Sequence, residues 1–231
     1  FYLGFSSQAG GILPNLMYPT RGLHLWVMWG TLLIPILAYL IYLWRGEKIP
    51  SNWKLGFSLG LGFTFLLLLL TFSIGWIGSI VEKDYVAGFL ESQGMTAAQF
   101  LGATTLRRLS HIGSLLTLLA VLIPALAFLF KKPSTIDDGL QTEDNLPLHE
   151  SAFSLAKRPS AFRSPPSSFV LILIALGAIL ILAPEFVYLR DQFGYRINTV
   201  FKFYYQSWML LSLSAAFGVS VLLQNLRGVM N

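Results

Sequence analysis

Cysteine is absent from the 231 residues, which excludes disulfides, thiolate nucleophiles and Cys-based zinc sites. Charge is scarce as well: 12% of residues are Asp, Glu, Lys or Arg, about half the fraction usual in a soluble domain. The sequence holds no phosphate loop, dinucleotide fingerprint or nucleophile elbow. No aromatic-plus-basic module is present, so nucleic acid is not an expected partner, and the net charge of +5 is assigned to membrane orientation. Phe1 opens the chain without a Met or a signal-peptide pattern, so a longer parent polypeptide is expected. What the chain has in quantity is apolar surface. Hydrophobic residues make up 55% of it, the mean hydropathy is +0.64, and the apolar runs recur at lengths that match a hydrocarbon core of about 30 Å.

These runs predict an all-α, polytopic transmembrane bundle in a single domain covering 1–231, with spans at about 22–44, 55–81, 112–130, 169–188 and 206–226. Trp26, Trp29 and Trp44 stand near the ends of the first span as interfacial anchors. Pro35 and Pro124 fall inside spans, where neighbouring helices can re-satisfy the freed carbonyls. In the second span Gly56 and Gly60, and likewise Ser58 and Gly62, lie four apart and predict a small-residue face for close packing.

Five spans put the termini on opposite sides. Side A holds the N-terminal segment, the 82–111 loop and the 189–205 segment. Its cations are Arg21, Lys83, Arg107, Arg108, Arg190, Arg196 and Lys202. Side B carries the larger share: Arg45, Lys48, Lys54, Lys131, Lys132, Lys157, Arg158, Arg163 and Arg227. The positive-inside rule therefore predicts a cytoplasmic side B, including the polar linker at 133–168, and an extracytoplasmic side A. That linker is rich in Pro, Ser and acids without hydrophobic period. On side A, apolar residues between Tyr85 and Leu109 recur at threes and fours. They predict short amphipathic helices on the membrane surface, broken at Gly94, the second capped by Thr96.

The densest polar stretch runs from Pro184 to Gln206, between the fourth and fifth spans. Charges beside hydrocarbon are costly, so they pair with one another or line a polar cavity. If the chain is helical beyond Gly194, then Asn198, Lys202 and Gln206 form one stripe, bordered by Tyr195 and Tyr205, with Ile197, Val200 and Phe203 opposite. Two readings stand. Glu185, Arg190, Asp191, Arg196 and Lys202 neutralise one another as a structural lock. Alternatively, cations, amides and phenols on one side receive a phosphate or a sugar.

The run Asn198-Thr199-Val200-Phe201-Lys202-Phe203-Tyr204-Tyr205-Gln206-Ser207-Trp208 resembles the signature of a bacterial and archaeal family, the YYY membrane proteins or DUF2298 family. The blocks Phe5-Ser6-Ser7-Gln8-Ala9-Gly10-Gly11-Ile12 and Tyr18-Pro19-Thr20-Arg21 are similar to an earlier block of that family. Its members resemble the GT-C glycosyltransferases, which take a sugar from a polyprenyl-phosphate carrier on the extracytoplasmic face. The resemblance implies that Arg190, Arg196 and Lys202 hold the carrier phosphate. Asn198 and Gln206 would position sugar hydroxyls, and Tyr204 or Tyr205 would stack on the ring or the isoprenoid. Glu185 and Asp191 become candidates for acid–base work or for a divalent metal. The early loop that carries the catalytic carboxylate in such enzymes has no counterpart in this sequence. The rival is therefore a non-catalytic structural or lipid-binding subunit of a membrane complex. A transporter would use Pro184-Glu185 as a broken helix, but the halves show no internal repeat.

Two histidines, His24 and His111, open the first and third spans on side A, without the two-His spacing of a metal helix, so no metal site is expected of them. His149 falls in the linker. Arg21 is read either as an interfacial anchor, the favoured reading, or as part of the side A site.

Overall fold

A computed structural model describes residues 11–46, 51–130, 168–190 and 196–230, with side chains as far as 225. The elements in chain order are β1 (Ile12–Pro14), α1 (Gly22–Gly46), α2 (Trp53–Val81), α3 (Lys83–Ser92), α4 (Ala97–Ser110), α5 (Ile112–Leu129), α6 (Ser168–Leu182), β2 (Val187–Leu189) and α7 (Ile197–Met230). Five of the helices are long and apolar enough to cross a bilayer. The chain is a multi-pass membrane protein, all-α among the described residues apart from one short strand pair. The 133–168 linker lies outside the described residues except for Ser168, which opens α6.

Helices α1, α5, α6 and α7 form the packed centre, and α2 lies against the outside of α5. Burial follows that order: 61% of the α6 span is buried, against 17% of the α2 span. Trp29, Ile36, Leu122, Ile174, Ile181 and Leu211 are fully enclosed where the central helices meet. The remaining apolar faces, such as Phe65, Leu66 and Leu69 on α2, point outward, as a lipid solvent requires.

Small residues set the close approaches. A Cβ at Gly56 would come within 2.8 Å of the Ala127 Cβ and the Ile123 carbonyl, and one at Gly60 within 2.8 Å of Ile123 Cγ1. The Gly56–Gly60 face thus packs on α5, as its spacing predicts. Ser58 and Gly62 do not share it. They are exposed, because an offset of two residues turns a helix by about 200°. On the far side Gly177 admits Leu211, whose Cδ2 would lie 2.6 Å from an added Cβ.

Two boundaries differ from the sequence expectation. The fourth span stops as an α-helix at Leu182 instead of running to 188; Pro184 and a 3₁₀ turn over Ala183–Glu185 end it, since proline removes a backbone donor and clashes with a continuing helix. The fifth helix begins at Ile197, well before 206, because its polar first turns lower the hydropathy without breaking the helix. At 34 residues α7 is about 51 Å long, more than a bilayer core needs, so one end projects beyond it.

On side A, α3 and α4 form the expected amphipathic pair. Gly94 turns between them with φ +62°, and Thr96 caps α4 in a reciprocal box with Gln99. Phe89 and Phe100 hold the pair together edge-to-face at 5.6 Å. The sequence carries no readable sign of β1 and β2, which pair antiparallel with Ile12 opposite Leu189, Leu13 opposite Tyr188 and Pro14 opposite Val187. This ribbon ties the N-terminal segment to the turn that follows α6.

Candidate functional site

Where Pro184 ends α6, the carbonyls of residues 184–186 have no helical partner, and buried backbone groups must find one. Asn15 supplies much of it. Its fully buried amide Nδ2 donates to the Pro184 carbonyl at 2.9 Å, the Glu185 carbonyl at 3.3 Å and the Tyr18 carbonyl at 3.2 Å. Its Oδ1 accepts from the Tyr18 amide at 3.1 Å, and its own backbone amide donates to the Phe186 carbonyl at 2.7 Å. Thr71 of α2 donates its hydroxyl to the same Phe186 carbonyl at 3.0 Å.

Glu185 sits at the centre of this joint, 6% exposed. One carboxylate oxygen, Oε2, accepts from the Thr20 amide at 2.7 Å. The other, Oε1, accepts from the Thr20 hydroxyl and from Arg196 Nη1, the latter at 2.8 Å. Arg196 Nη2 reaches Thr20 Oγ1 at 2.8 Å, closing a ring of guanidinium, hydroxyl and carboxylate. Such a carboxylate is matched by charge-assisted donors on both oxygens.

Arg108 braces the joint from α4. Its Nη2 donates to the carbonyls of Asn15 and Glu185, and its guanidinium lies over the Phe186 ring at 5.1 Å. Burial lowers the Arg108 pKa from its ordinary value, and the neighbouring Glu185 carboxylate works against that shift. Arg107, the preceding residue, turns outward and donates to the Met17 carbonyl at 3.0 Å.

A second ion pair lies further out. Arg190 Nη1 meets Glu82 Oε2 at 3.1 Å, with both side chains well exposed at 35% and 48%. The same guanidinium stands 4.6 Å from the centre of the Tyr85 ring, joining β2 to α3. Thr199 of α7 accepts from the Leu189 amide at 2.9 Å.

The residues picked out in the sequence fall in separate places. Glu185 and Arg196 are together in the buried joint, while Arg190 belongs to the outer pair. Tyr204 is buried, edge-to-face with Trp29 at 5.3 Å. Lys202, Tyr205 and Gln206 are exposed on the outer face of α7, with Asn198 half-buried above them. Asp191 lies outside the described residues, as does Tyr195. The stripe is real, but it points away from the bundle; α7 turns Thr199, Tyr204, Ser207, Leu211 and Ser214 to the core. Val200 and Phe203 pack against that core, whereas Ile197 is 67% exposed at the margin of the face.

Asn15, Thr20, Arg108, Glu82 and Tyr85 join the site without being candidates from the sequence. The proline-flanked stretch from Pro14 to Arg21 was the available signal, since an asparagine between two prolines has free backbone groups to organise. For a metal, no group of three or more His, Cys, Asp or Glu side chains occurs among the described residues. His24 is exposed at the start of α1, and His111 is engaged by Arg21.

Fold and site together define a polytopic helical membrane protein whose side A ends are locked by a buried polar joint. Residues 1–211 match the model of the uncharacterised membrane protein family DUF2298, and the chain belongs to that family. Neither the curated proteins nor the solved structures gave a match.

Proposed function

We propose that this protein is a glycosyltransferase-like membrane protein that receives a polyprenyl-phosphate sugar at the extracytoplasmic face, along the outer face of α7. The observation that carries this reading is the contrast among the three candidate cations. Arg190 and Arg196 are held by Glu82 and Glu185, while Lys202 is exposed and makes no ion pair with a described residue, one turn from Gln206 and beside Tyr205. A lysine offers phosphate a point charge, an amide can position sugar hydroxyls, and a phenol ring can stack on sugar or isoprenoid. The phosphate therefore falls to Lys202, with Asn198 and Gln206 for the sugar and Tyr205 for stacking. Arg190 and Arg196 hold the frame.

The engaged state of Glu185 favours a second reading, a non-catalytic lipid-binding or structural subunit. A carboxylate with donors on both oxygens is poorly placed as a general base. Binding and transfer separate the two. Lys202→Gln should weaken binding of polyprenyl phosphate about fivefold, the scale expected for one basic residue at a membrane surface, and leave binding of the uncharged polyprenol unchanged. Equal binding of the phosphate by the variant and the parent would remove the α7 assignment. Sugar transfer by the native full-length polypeptide, lost with Lys202→Gln, supports the enzyme; phosphate-selective binding without transfer supports the subunit.

A further inference from the structure

A second cationic cluster lies on the other edge of the side A surface, where the starts of α1 and α5 meet. Glycine allows the approach: a Cβ at Gly22 would stand 3.1 Å from the Gly113 carbonyl carbon and 3.2 Å from its Cα. That contact brings Arg21, just before α1, against His111, just before α5, with Arg21 Nε 3.1 Å from His111 Nε2. A guanidinium has only donors, so Nε2 is the acceptor of this bond. The Nδ1 side lies 2.7 Å from the Arg107 carbonyl and 2.9 Å from Ser110 Oγ.

This arrangement fixes the ring but leaves charge unanswered. Arg21 and Arg107 are exposed and form no ion pair with a described residue. Neither α1 nor α5 carries an acid in its first turn. Glu185, which accepts from Thr20 next to Arg21 in the chain, is already taken by Thr20 and Arg196. Exposed aliphatic side chains lie at the same helix ends: Leu23 is 74% exposed, Leu106, next to Arg107, 71%, and Ile112, next to His111, 42%. Trp26 hydrogen-bonds Thr117 across the same α1–α5 edge at 3.2 Å, the kind of amphipathic side chain that sits at headgroup level.

We propose that Arg21, Arg107 and His111 form a binding site for the phosphate of an anionic lipid headgroup, distinct from the α7 face. The two guanidinia supply charge-assisted donors suited to phosphate oxygens. The imidazole holds Arg21 in place as a positioning group, and the leucines at the same helix ends receive the acyl chains. Exposed aliphatics flanking the cations favour a lipid over free phosphate, because a soluble anion would gain nothing from them.

The test uses the purified full chain in nanodiscs of phosphatidylcholine with and without phosphatidylglycerol, with native mass spectrometry reading the lipid retained. Wild-type protein is expected to retain phosphatidylglycerol over phosphatidylcholine, and added inorganic phosphate is expected not to displace it. The double variant Arg21→Gln, Arg107→Gln should lose about twenty-fivefold in that preference, about fivefold for each basic residue, whereas Arg21→Lys with Arg107→Lys keeps most of it. Lys54→Gln, at the side B start of α2, should leave it intact. Wild-type protein that shows no preference would overturn the proposal whether or not the variants fold. So would a folded double-Gln variant with full preference, or displacement of the lipid by inorganic phosphate alone.

Discussion

Among the described residues, two ion pairs close the side A end of this bundle, and they differ in everything except their chemistry. Glu185 and Arg196 meet at 2.8 Å with side chains 7% and 17% exposed. Glu82 and Arg190 meet at 3.1 Å with 48% and 35% exposure. The buried pair is surrounded by Thr20, Asn15 and Arg108, so that removing one partner strands the others without water. The outer pair has solvent to replace either member. The same two residue types therefore act as a structural joint in one place and as a weak surface latch in the other. Burial and the number of satisfied partners decide which.

The comparison can be broken from its strong end. Glu185→Ala should destabilise the folded protein by about 3–5 kcal/mol, the cost of leaving a buried guanidinium unpaired; reversible unfolding in mixed micelles measures it. Replacing Asn15 with Ala removes the donors to the Pro184 and Glu185 carbonyls, and a loss of about 2 kcal/mol is expected by the same method. Thr20→Val keeps the shape but deletes the hydroxyl between Glu185 and Arg196, for about 1 kcal/mol. At the weak end, Glu82→Gln should change stability by less than about 1 kcal/mol and lose that effect in high salt. If Glu82→Gln cost as much as Glu185→Ala, burial would not be what distinguishes the pairs.

The helices were legible because each span is a long apolar run, although Trp29, expected as an interfacial anchor, is buried against Tyr204 while Trp26 and Trp44 are exposed; the Gly56–Gly60 contact was legible because glycine spacing says where backbones can touch. The ribbon was not. Three residues from Ile12 and three from Val187 carry no period of their own, and their pairing is set by where Pro184 stops α6. For the same reason the sequence named Glu185 as charged and costly without naming its partners. Thr20 lies far from it along the chain and announces itself only as part of a proline-flanked block. The stripe Asn198–Lys202–Gln206 was found by helical spacing, yet spacing cannot say which face a helix buries. In α7 small hydroxyls take the inner face, each with a backbone partner: Ser207 donates to the Gly177 carbonyl at 2.8 Å and Ser214 to Leu210 at 2.9 Å. A hydroxyl that returns its proton to a helix carbonyl tolerates apolar surroundings, which a lysine does not.

The central claim is that the N-terminal segment is clamped onto the turn after α6, so that Glu185 serves the fold. A chain without cysteine allows a direct test, since any disulfide formed is the one introduced. Ile12 and Leu189 are directly opposed in the ribbon, and facing antiparallel Cα atoms lie about 4.5–5.5 Å apart, within disulfide reach. With Ile12→Cys and Leu189→Cys together, rapid and near-complete crosslinking in the membrane under mild oxidation is the predicted result. Ile12→Cys with Tyr85→Cys serves as the unpaired control. Crosslinking of the Ile12–Leu189 pair no faster than that control would contradict the clamp, and with it the structural assignment of Glu185.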